Sequence, residues 1–117
     1  MRGEVKDSTL SELILWLMRL RRRVRVTGAS MLPVLQPGEE ILFDPYAYRR
    51  ASPQPGDIVV ALHPFQRQVR LVKRITQQLE DGRFYLNGDN PSESTDSRSF
   101  GPVTLNQILG RVTSRFA

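Results

Sequence analysis

The sequence predicts a mainly β protein, a small and strongly bent antiparallel sheet or partial barrel with one N-terminal amphipathic helix. Three observations predict this fold class. One helix-periodic stretch opens the chain, short β-branched runs follow from Val24 onward, and segments rich in Pro and Gly separate those runs. Helical stretches do not alternate with the runs, as a parallel sheet would require.

The helix is expected over residues 9–20. Thr9 and Glu12 have the spacing of a capping box, and an apolar stripe recurs at i, i+3, i+4 and i+7, formed by Leu10, Leu13, Ile14 and Leu17. We expect this stripe to pack on the domain. The alternative is a helix lying on a membrane surface, with Leu15 and Trp16 exposed beside the arginines that follow.

Six strands are expected after the helix, at residues 24–28, 39–44, 57–62, 69–75, 83–88 and 108–116. With 117 residues, of which 39% are hydrophobic, the chain can bury one modest core. We divide it into an N-terminal helix and basic segment, residues 1–23, and a β core, residues 24–117.

The charge pattern argues against a nucleic-acid surface. The formal charge is +5, and the run from Arg19 to Arg25 holds five arginines and no acid, so this run alone equals the net charge. The longest apolar run, residues 13–18, is too short to span a bilayer. We expect a cytoplasmic location, with weak contact of residues 9–25 with a membrane surface as the alternative.

No metal or cofactor is expected. The chain has no Cys and a single histidine, His63, which lies in a predicted loop without a second His to share a metal ion.

Lys73 is the most informative residue. The chain uses Arg almost everywhere, and Lys occurs only at Lys6 and Lys73. In a strand, Lys73 shares a face with Val69, Leu71 and Ile75, whereas Arg70 and Arg74 point to the wet side. Burial penalises an ammonium and lowers its pKa, so this amine can act as a base, which a guanidinium cannot. The structural alternative is a lysine whose stem crosses apolar surface and whose head reaches water.

Two other segments supply partners for this lysine. Ser30, in "GASMLPVLQPG", is expected to end a short strand at an exposed corner, where Gly28 and Ala29 leave room for another backbone. Such a hydroxyl, with its own backbone N–H free to face a carbonyl, suits acyl transfer. The segment "GDNPSESTDSRSFGPV" concentrates polar residues between apolar strands, which a purely structural loop would also explain.

Taken together, the ordered segments "GASMLPVLQPGE", "PGDIVVA", "LVKRI" and "GDNPSESTDSRSFG" resemble the type I signal peptidase family of serine proteases, from about Val26 to Arg111. The resemblance implies a Ser–Lys dyad, with Ser30 as nucleophile and Lys73 as general base. By the same match, Ser94 orients the lysine amine and Asp96 pairs with Arg98. Gly88, Asp89 and Asn90 shape the loop beneath the site, and Met31 and Pro33 lie beside the substrate.

The sequence departs from the family in two ways. Many members carry Ser two residues before the nucleophile, as a donor to the oxyanion hole; Gly28 stands there, so the Ser30 backbone N–H carries more of that role. Members of the membrane-bound type also have a spanning anchor and an inserted β-domain, and we expect a minimal, unanchored core here.

Within the family, that minimal form resembles the nickel-type superoxide dismutase maturation proteases, especially in "ASPQPGDIVVALHPFQ", "YLNGDNPSESTDSRSFGPV" and "ILGRVTSRF". This implies removal of the N-terminal propeptide of a nickel superoxide dismutase precursor. The substrate backbone is expected to bond to the strand leading into Ser30 and to a strand near Asp57–Val60.

Three other functions are alternatives, and the sequence argues against the second and the third. One is a peripheral signal peptidase that cleaves exported preproteins. A self-cleaving repressor would need a DNA-binding domain upstream of Ser30, for which about thirty residues leave no room. A small basic β-barrel that binds nucleic acid would interleave aromatics with its basic residues, and the arginine run has none.

Overall fold

The computed structural model describes residues 5–116 and contains six strands, as the sequence predicts. They are β1 (Arg22–Arg25), β2 (Glu40–Asp44), β3 (Ile58–Leu62), β4 (Arg70–Gln78), β5 (Phe84–Asn87) and β6 (Ile108–Arg115). Two α-helices, α1 (Leu10–Leu17) and α2 (Ser97–Phe100), and 3-10 turns at Ala47–Arg49, Pro91–Glu93 and Leu105–Gln107 complete the described chain.

All strands belong to one antiparallel sheet with the order β1-β2-β6-β3-β4-β5. The pairing shifts between Leu42 and Phe43, between Val60 and Ala61, and between Ile75 and Gln77. Such irregularities increase the local twist and bend the strands. The predicted mainly β half-barrel is confirmed.

The curved sheet is buried on both faces. Val60 packs in a cluster with Met31, Leu35 and Phe43, whereas the neighbouring residue Val59 packs with Ile75, Leu86 and Val103 in a second cluster. Successive strand residues point to opposite faces, so the two clusters lie on opposite sides of the sheet. This explains why the central strand β3 reads as a continuous apolar run, "IVVAL", without alternation.

Two strand edges near the ends of the sheet lack a strand partner among the described residues. β1 pairs with β2 on one side only, and β4 pairs with β5 from Arg74 onward but not from Arg70 to Lys73. Each leaves backbone N–H and C=O groups available to another extended chain.

The N-terminal helix differs from the prediction in length and in orientation. It ends at Leu17 because Arg19 adopts a left-handed φ of 64°, a conformation that terminates helices. The expected apolar stripe faces outward, with Leu10 74% and Leu17 71% exposed. The residue turned towards the sheet is Glu12, which is 6% exposed.

Hydrogen bonds to Glu12 account for this orientation. Its carboxylate accepts from Thr113 Oγ1, from Ser114 Oγ at 3.0 Å and from Arg21 Nε at 2.9 Å. Burial would raise the pKa of Glu12, but these bonds and the Arg21 charge outweigh it and lower the pKa. A buried carboxylate must keep such partners, so the helix face that carries Glu12 faces inward.

Leu15 and Trp16 are half-buried, so the alternative arrangement, with both exposed, is not observed either. Trp16 packs edge-on against Phe116, with ring centroids 4.8 Å apart. No helix within residues 5–116 has the length and hydropathy to cross a membrane. The division of the chain at residue 23 stays a prediction.

Candidate active site

The site begins with Lys73, which β4 places opposite Val59 of β3. The predicted burial is confirmed, because Lys73 is 4% exposed and lies on the same face as Ile75. Its amine reaches the polar loop that follows β5, where Nζ donates to Ser94 Oγ at 3.2 Å. The head of this lysine therefore ends in the protein interior rather than in water.

Burial is also the main cause of the low pKa of Lys73. It penalises the ammonium form, and the positive charge of Arg98 acts in the same direction, while the negative charge of Asp96 opposes both. The balance lowers the pKa of Lys73 below its ordinary value of 10.5. A neutral amine, which can accept a proton, is thus favoured relative to a lysine in water.

Ser94 connects this amine to a buried carboxylate. Its hydroxyl accepts from Lys73 and donates to Asp96 Oδ2 at 2.6 Å. Asp96 is completely buried and pairs in bidentate fashion with Arg98, with Nε at 2.9 Å from Oδ1 and Nη2 at 2.6 Å from Oδ2. The resemblance to signal peptidases implies both contacts, the hydrogen bond from Lys73 to Ser94 and the Asp96–Arg98 pair, and the roles of these residues in catalysis stay predictions.

The second helix explains why Asp96 remains charged. Asp96 caps α2, because its side chain accepts from the backbone N–H of Arg98, and it also accepts from Gly88 N–H at 2.9 Å. Burial would raise the pKa of Asp96, but bonds from Arg98, Ser94 and Gly88 prevail and hold the pKa well below its usual range. A fixed anion therefore lies one hydroxyl away from the lysine.

Gly88 is required by a close approach of three chain segments. A Cβ added there would lie 2.3 Å from Ser94 Oγ and 2.7 Å from the Ser30 carbonyl oxygen. No side chain fits in that space. Glycine therefore allows the end of β5 to approach both Ser94 and the segment that carries Ser30.

Asn90 holds the segment that carries Ser30. Its backbone N–H donates to the Ser30 carbonyl at 2.7 Å, and its side-chain amide donates to the Ala29 carbonyl at 3.0 Å. The loop after β5 thus contacts Lys73 through Ser94 and Ser30 through Asn90. This loop therefore contacts both the segment that carries the predicted nucleophile and the side chain of the predicted base.

The corner at Ser30 depends on backbone conformation. Gly28 has a φ of 75°, which favours glycine, and a Cβ there would meet no atom within 4 Å. The glycine is explained by its conformation rather than by the close approach of another segment. Ser30 itself is half-buried and follows directly after this turn.

Ser30 and Lys73 line one cavity of about 370 Å³. Its walls come from residues 24–27, which lead from β1 into the Ser30 corner, and from residues 68–72, which lead into Lys73. These are the stretches whose outer edges lack a strand partner among the described residues. The cavity can therefore receive an extended peptide between two unpaired strand edges.

Comparison with known proteins assigns this arrangement to a family. The family model described as signal peptidase, peptidase S26, matches residues 9–78 and 75–117, nearly the whole chain. The chain belongs to the signal peptidase family. The predicted resemblance to the signal peptidase family is thus confirmed.

Curated relatives of this signal peptidase family member are subunits of mitochondrial inner membrane proteases. Subunit 2 of zebrafish (Danio rerio) is 33% identical over 116 residues, which cover 81% of this chain and 63% of the relative. Subunit 1 of Xenopus tropicalis is 32% identical, covering 76% of this chain and 65% of the relative. Subunit 1 of Schizosaccharomyces pombe is 33% identical, covering 76% and 69%. The chain thus spans a little under two thirds of the length of the first two relatives.

Neither of the two residues predicted beside the substrate lines the cavity of Ser30 and Lys73. Met31 is fully buried in the core, and Pro33 lines a different cavity with Val34 and Arg115. The expected backbone contact of the substrate with a strand near Asp57–Val60 stays a prediction. β3 itself pairs with β4 and with β6, and β4, which pairs with Ile58–Val60, lines the cavity.

Sequence reasoning missed Arg74, which was placed on the wet side of β4. It is half-buried and pairs in bidentate fashion with the predicted site residue Asp89, at 2.8 Å and 2.7 Å, and donates to the Gly56 carbonyl at 2.9 Å. The bonds to Asp89 raise the pKa of Arg74. The sequence contains a signal for this ion pair. Arg74 lies opposite Asn87 of β5, and Asp89 follows shortly after Asn87 in the chain.

Proposed function

We propose that this protein is a serine endopeptidase with a Ser30–Lys73 dyad. One observation carries the proposal: a buried lysine, with its amine held by Ser94, lines the same cavity as Ser30. The low pKa of Lys73 supports the role of base. The Ser–Lys dyad is an established variant of the Ser-His-Asp catalytic triad, and its lysine must be kept neutral by its surroundings.

In the proposed reaction, Ser30 Oγ attacks the scissile carbonyl carbon while neutral Lys73 takes the hydroxyl proton. The tetrahedral intermediate collapses as the peptide C–N bond breaks, and Lys73 returns the proton to the leaving amine. Water then attacks the acyl-enzyme and gives its proton to Lys73. Breakage of the ester bond returns that proton to Ser30 and releases the new carboxyl terminus.

The oxyanion of the intermediate needs donors. We propose the backbone N–H of Ser30 as one of them, at the corner that Gly28 shapes. The Asn90 bonds to the Ala29 and Ser30 carbonyls fix the peptide planes on either side of this corner. Donors held in place before the reaction are worth more than donors that must reorient.

The substrate is proposed to be an extended segment near the N-terminus of a precursor protein. An extended chain can add to the unpaired edges that flank the cavity, bonding through its backbone to residues 24–27 and 68–72. The membership of the signal peptidase family favours removal of such segments from proteins that are exported or delivered to a membrane. The relatives, named as inner membrane protease subunits, support the same substrate class.

A nickel superoxide dismutase precursor is the second candidate substrate. The stretches "YLNGDNPSESTDSRSFGPV" and "ILGRVTSRF" favour it, through their resemblance to the maturation proteases of that enzyme. A precursor in the cytoplasm would agree with the location that the sequence predicts for this protein. A nucleic-acid function is not proposed, since Lys73 and Ser94 would then be unexplained.

One experiment tests both candidates. Each precursor, an exported preprotein and a nickel superoxide dismutase precursor, is coexpressed with the wild-type protein and with Ser30→Ala, and the N-terminal mass of each is measured. We expect trimming of one precursor by the wild type and none by Ser30→Ala. Equal trimming with both proteins would refute the substrate, and no trimming of either precursor would refute both candidates.

A further inference from the structure

We propose that the outward face of α1, together with an arginine-lined cavity beside it, is a docking surface for a bilayer that contains anionic phospholipid. We call these residues the helix face and the arginine cavity. The helix face comprises Leu10, Ile14, Leu17 and Met18. The arginine cavity is lined by three arginines and one acid, with Leu15, Leu20, Tyr46, Ala47 and Ala51 around them; the charged residues are Arg21, Arg50, Arg111 and Asp44, and Asp44 lies 3.6 Å from Arg21.

The helix face is apolar and uncovered by the described chain. Leu10, Leu17 and Met18 are 74%, 71% and 64% exposed, and Ile14 is 46% exposed. A surface helix of a soluble domain normally turns such residues to the core and its polar residues outward. In α1 the polarity is reversed, and a contiguous exposed apolar patch of this kind marks an interaction site.

The reversed orientation is fixed by the fold. Glu12 is held to β6 by Thr113 and Ser114, and to Arg21 by an ion pair of 2.9 Å. The neighbouring Trp16 packs on Phe116, and Arg23 stacks over both rings, at 5.3 Å and 4.6 Å from their centroids. Rotating the helix to bury its leucines would break this network and strand the Glu12 carboxylate.

The arginine cavity opens beside the C-terminal end of the same helix. It has a volume of about 390 Å³, and Leu15 and Leu20 form one wall. Arg50 and Arg111 are exposed and form no ion pair within residues 5–116, while Arg21 is shared between Glu12 and Asp44. A phosphate group would find unpaired guanidinium donors there, whose fork suits its oxygens.

The positive charges next to the helix face indicate which partner binds there. Arg19, which follows the helix directly, is exposed and has no ion pair with another described residue, so it adds to Arg50 and Arg111. Apolar side chains flanked by unpaired arginines match an anionic bilayer, in which acyl chains lie beneath phosphates. A second copy of this chain would instead bring arginines against arginines, which is unfavourable.

The test is cosedimentation with vesicles of phosphatidylcholine alone and of phosphatidylcholine mixed with phosphatidylglycerol. We expect the wild type to bind only the mixed vesicles. Arg50→Gln with Arg111→Gln should weaken this binding by roughly fivefold for each arginine removed. Leu10→Gln with Leu17→Gln should weaken it at least tenfold, because two exposed leucines no longer insert.

The matched control is Arg67→Gln with Arg83→Gln, which removes the same charge from exposed positions outside both parts of the surface. It should change binding by less than about twofold. An equal loss in this control, binding to neutral vesicles, or retained binding by the leucine variants would overturn the proposal. So would a dimer, seen by light scattering, that the leucine variants dissociate.

The docking surface does not depend on the peptidase mechanism. Ser30→Ala removes the proposed nucleophile and should bind the mixed vesicles as the wild type does. Failure of Ser30→Ala to lose cleavage would refute the dyad and leave the vesicle result intact. The two claims therefore fail separately.

Discussion

Lys73 shows how a strand position decides the chemistry available to a residue. The sequence predicts its burial by counting alternate residues along one strand, and the structure places its amine against Ser94. The same count places Arg74 on the wet side, which is wrong, because Asp89 pairs with it. Alternation predicts the face of a strand residue, but it does not predict what the neighbouring strand places against that face.

The first prediction concerns the stability of Lys73→Met. Between the lowered folded pKa of Lys73 and its unfolded value near 10.5, the unfolded chain binds more protons, so wild-type stability rises with pH. Below the folded pKa, the cost of the buried charge is fully present. Methionine has a similar volume and no charge. At about pH 6, Lys73→Met should therefore be more stable than the wild type, by on the order of 1 kcal/mol.

Urea unfolding of both proteins over a range of pH measures this difference. The advantage of the methionine variant should shrink as pH rises through the folded pKa and disappear near the unfolded one. If the two free energies of unfolding differed by the same amount at all pH values, burial of the charged form of Lys73 would not carry the cost that we infer.

At the scale of elements, the loop between β5 and β6 organises the site. It contacts Lys73 through Ser94 and the segment of Ser30 through Asn90, and its Asp96 carboxylate caps α2. The sequence predicts the members of this cluster through a family resemblance. It does not predict α2, because four residues carry too little periodicity, or the bonds from Asn90 to residues 29 and 30, which depend on chain segments distant in sequence.

The second prediction is that Gly88→Ala abolishes most of the activity. Its Cβ would collide with Ser94 Oγ and the Ser30 carbonyl oxygen, which must then separate. We expect a loss of stability of about 1–3 kcal/mol, as for other overpacked sites, and a fall in cleavage rate of at least tenfold. Thermal unfolding and peptide cleavage measure the two effects.

Gly82→Ala is the control for this variant. Gly82 has a φ of 87° and open space at its Cβ position, so alanine adds backbone strain but displaces nothing in the site. It should lose stability and keep its cleavage rate. A fully active Gly88→Ala would contradict the close approach of the three segments.

At the scale of the whole molecule, the sequence predicts the mainly β class and the number of strands, because turn residues separate them, but β1 lies at Arg22–Arg25 rather than at the predicted residues 24–28. The orientation of α1 is predicted wrongly. Its apolar stripe resembles that of a packed helix. The hydrogen bonds that buried Glu12 forms with β6 nevertheless outweigh the gain from burying the leucine and isoleucine side chains of that stripe. Partners so distant in sequence leave no local pattern from which this choice can be read.

The third prediction concerns stability in acid. The folded pKa of Asp96 is lowered, so its contribution to stability is complete above the unfolded value of about 4 and is lost as pH falls through the folded pKa. Asp96→Asn should therefore lose stability at pH 7 and depend less on pH below 4. We expect a loss of about 2 kcal/mol, since Arg98 is 41% exposed and solvent screens part of the pairing.

Urea unfolding of Asp96→Asn and wild type at neutral and acid pH tests this prediction, with Asp81→Asn as a control. Asp81 pairs with Arg83 at the surface, so its variant should keep the stability of the wild type. Parallel pH curves for Asp96→Asn and the wild type would count against a lowered pKa of Asp96.

The central claim is that neutral Lys73 is the base for Ser30, and Lys73→Arg tests it most directly. Arginine keeps the positive charge but stays protonated in proteins, so it cannot take the hydroxyl proton. The measurement is the rate of cleavage of a precursor by both proteins across a range of pH, with circular dichroism to verify the fold. The wild-type rate should rise as pH passes through the pKa of Lys73, below 10.5, and Lys73→Arg should show no turnover at any pH. Appreciable turnover by a folded Lys73→Arg would contradict the account.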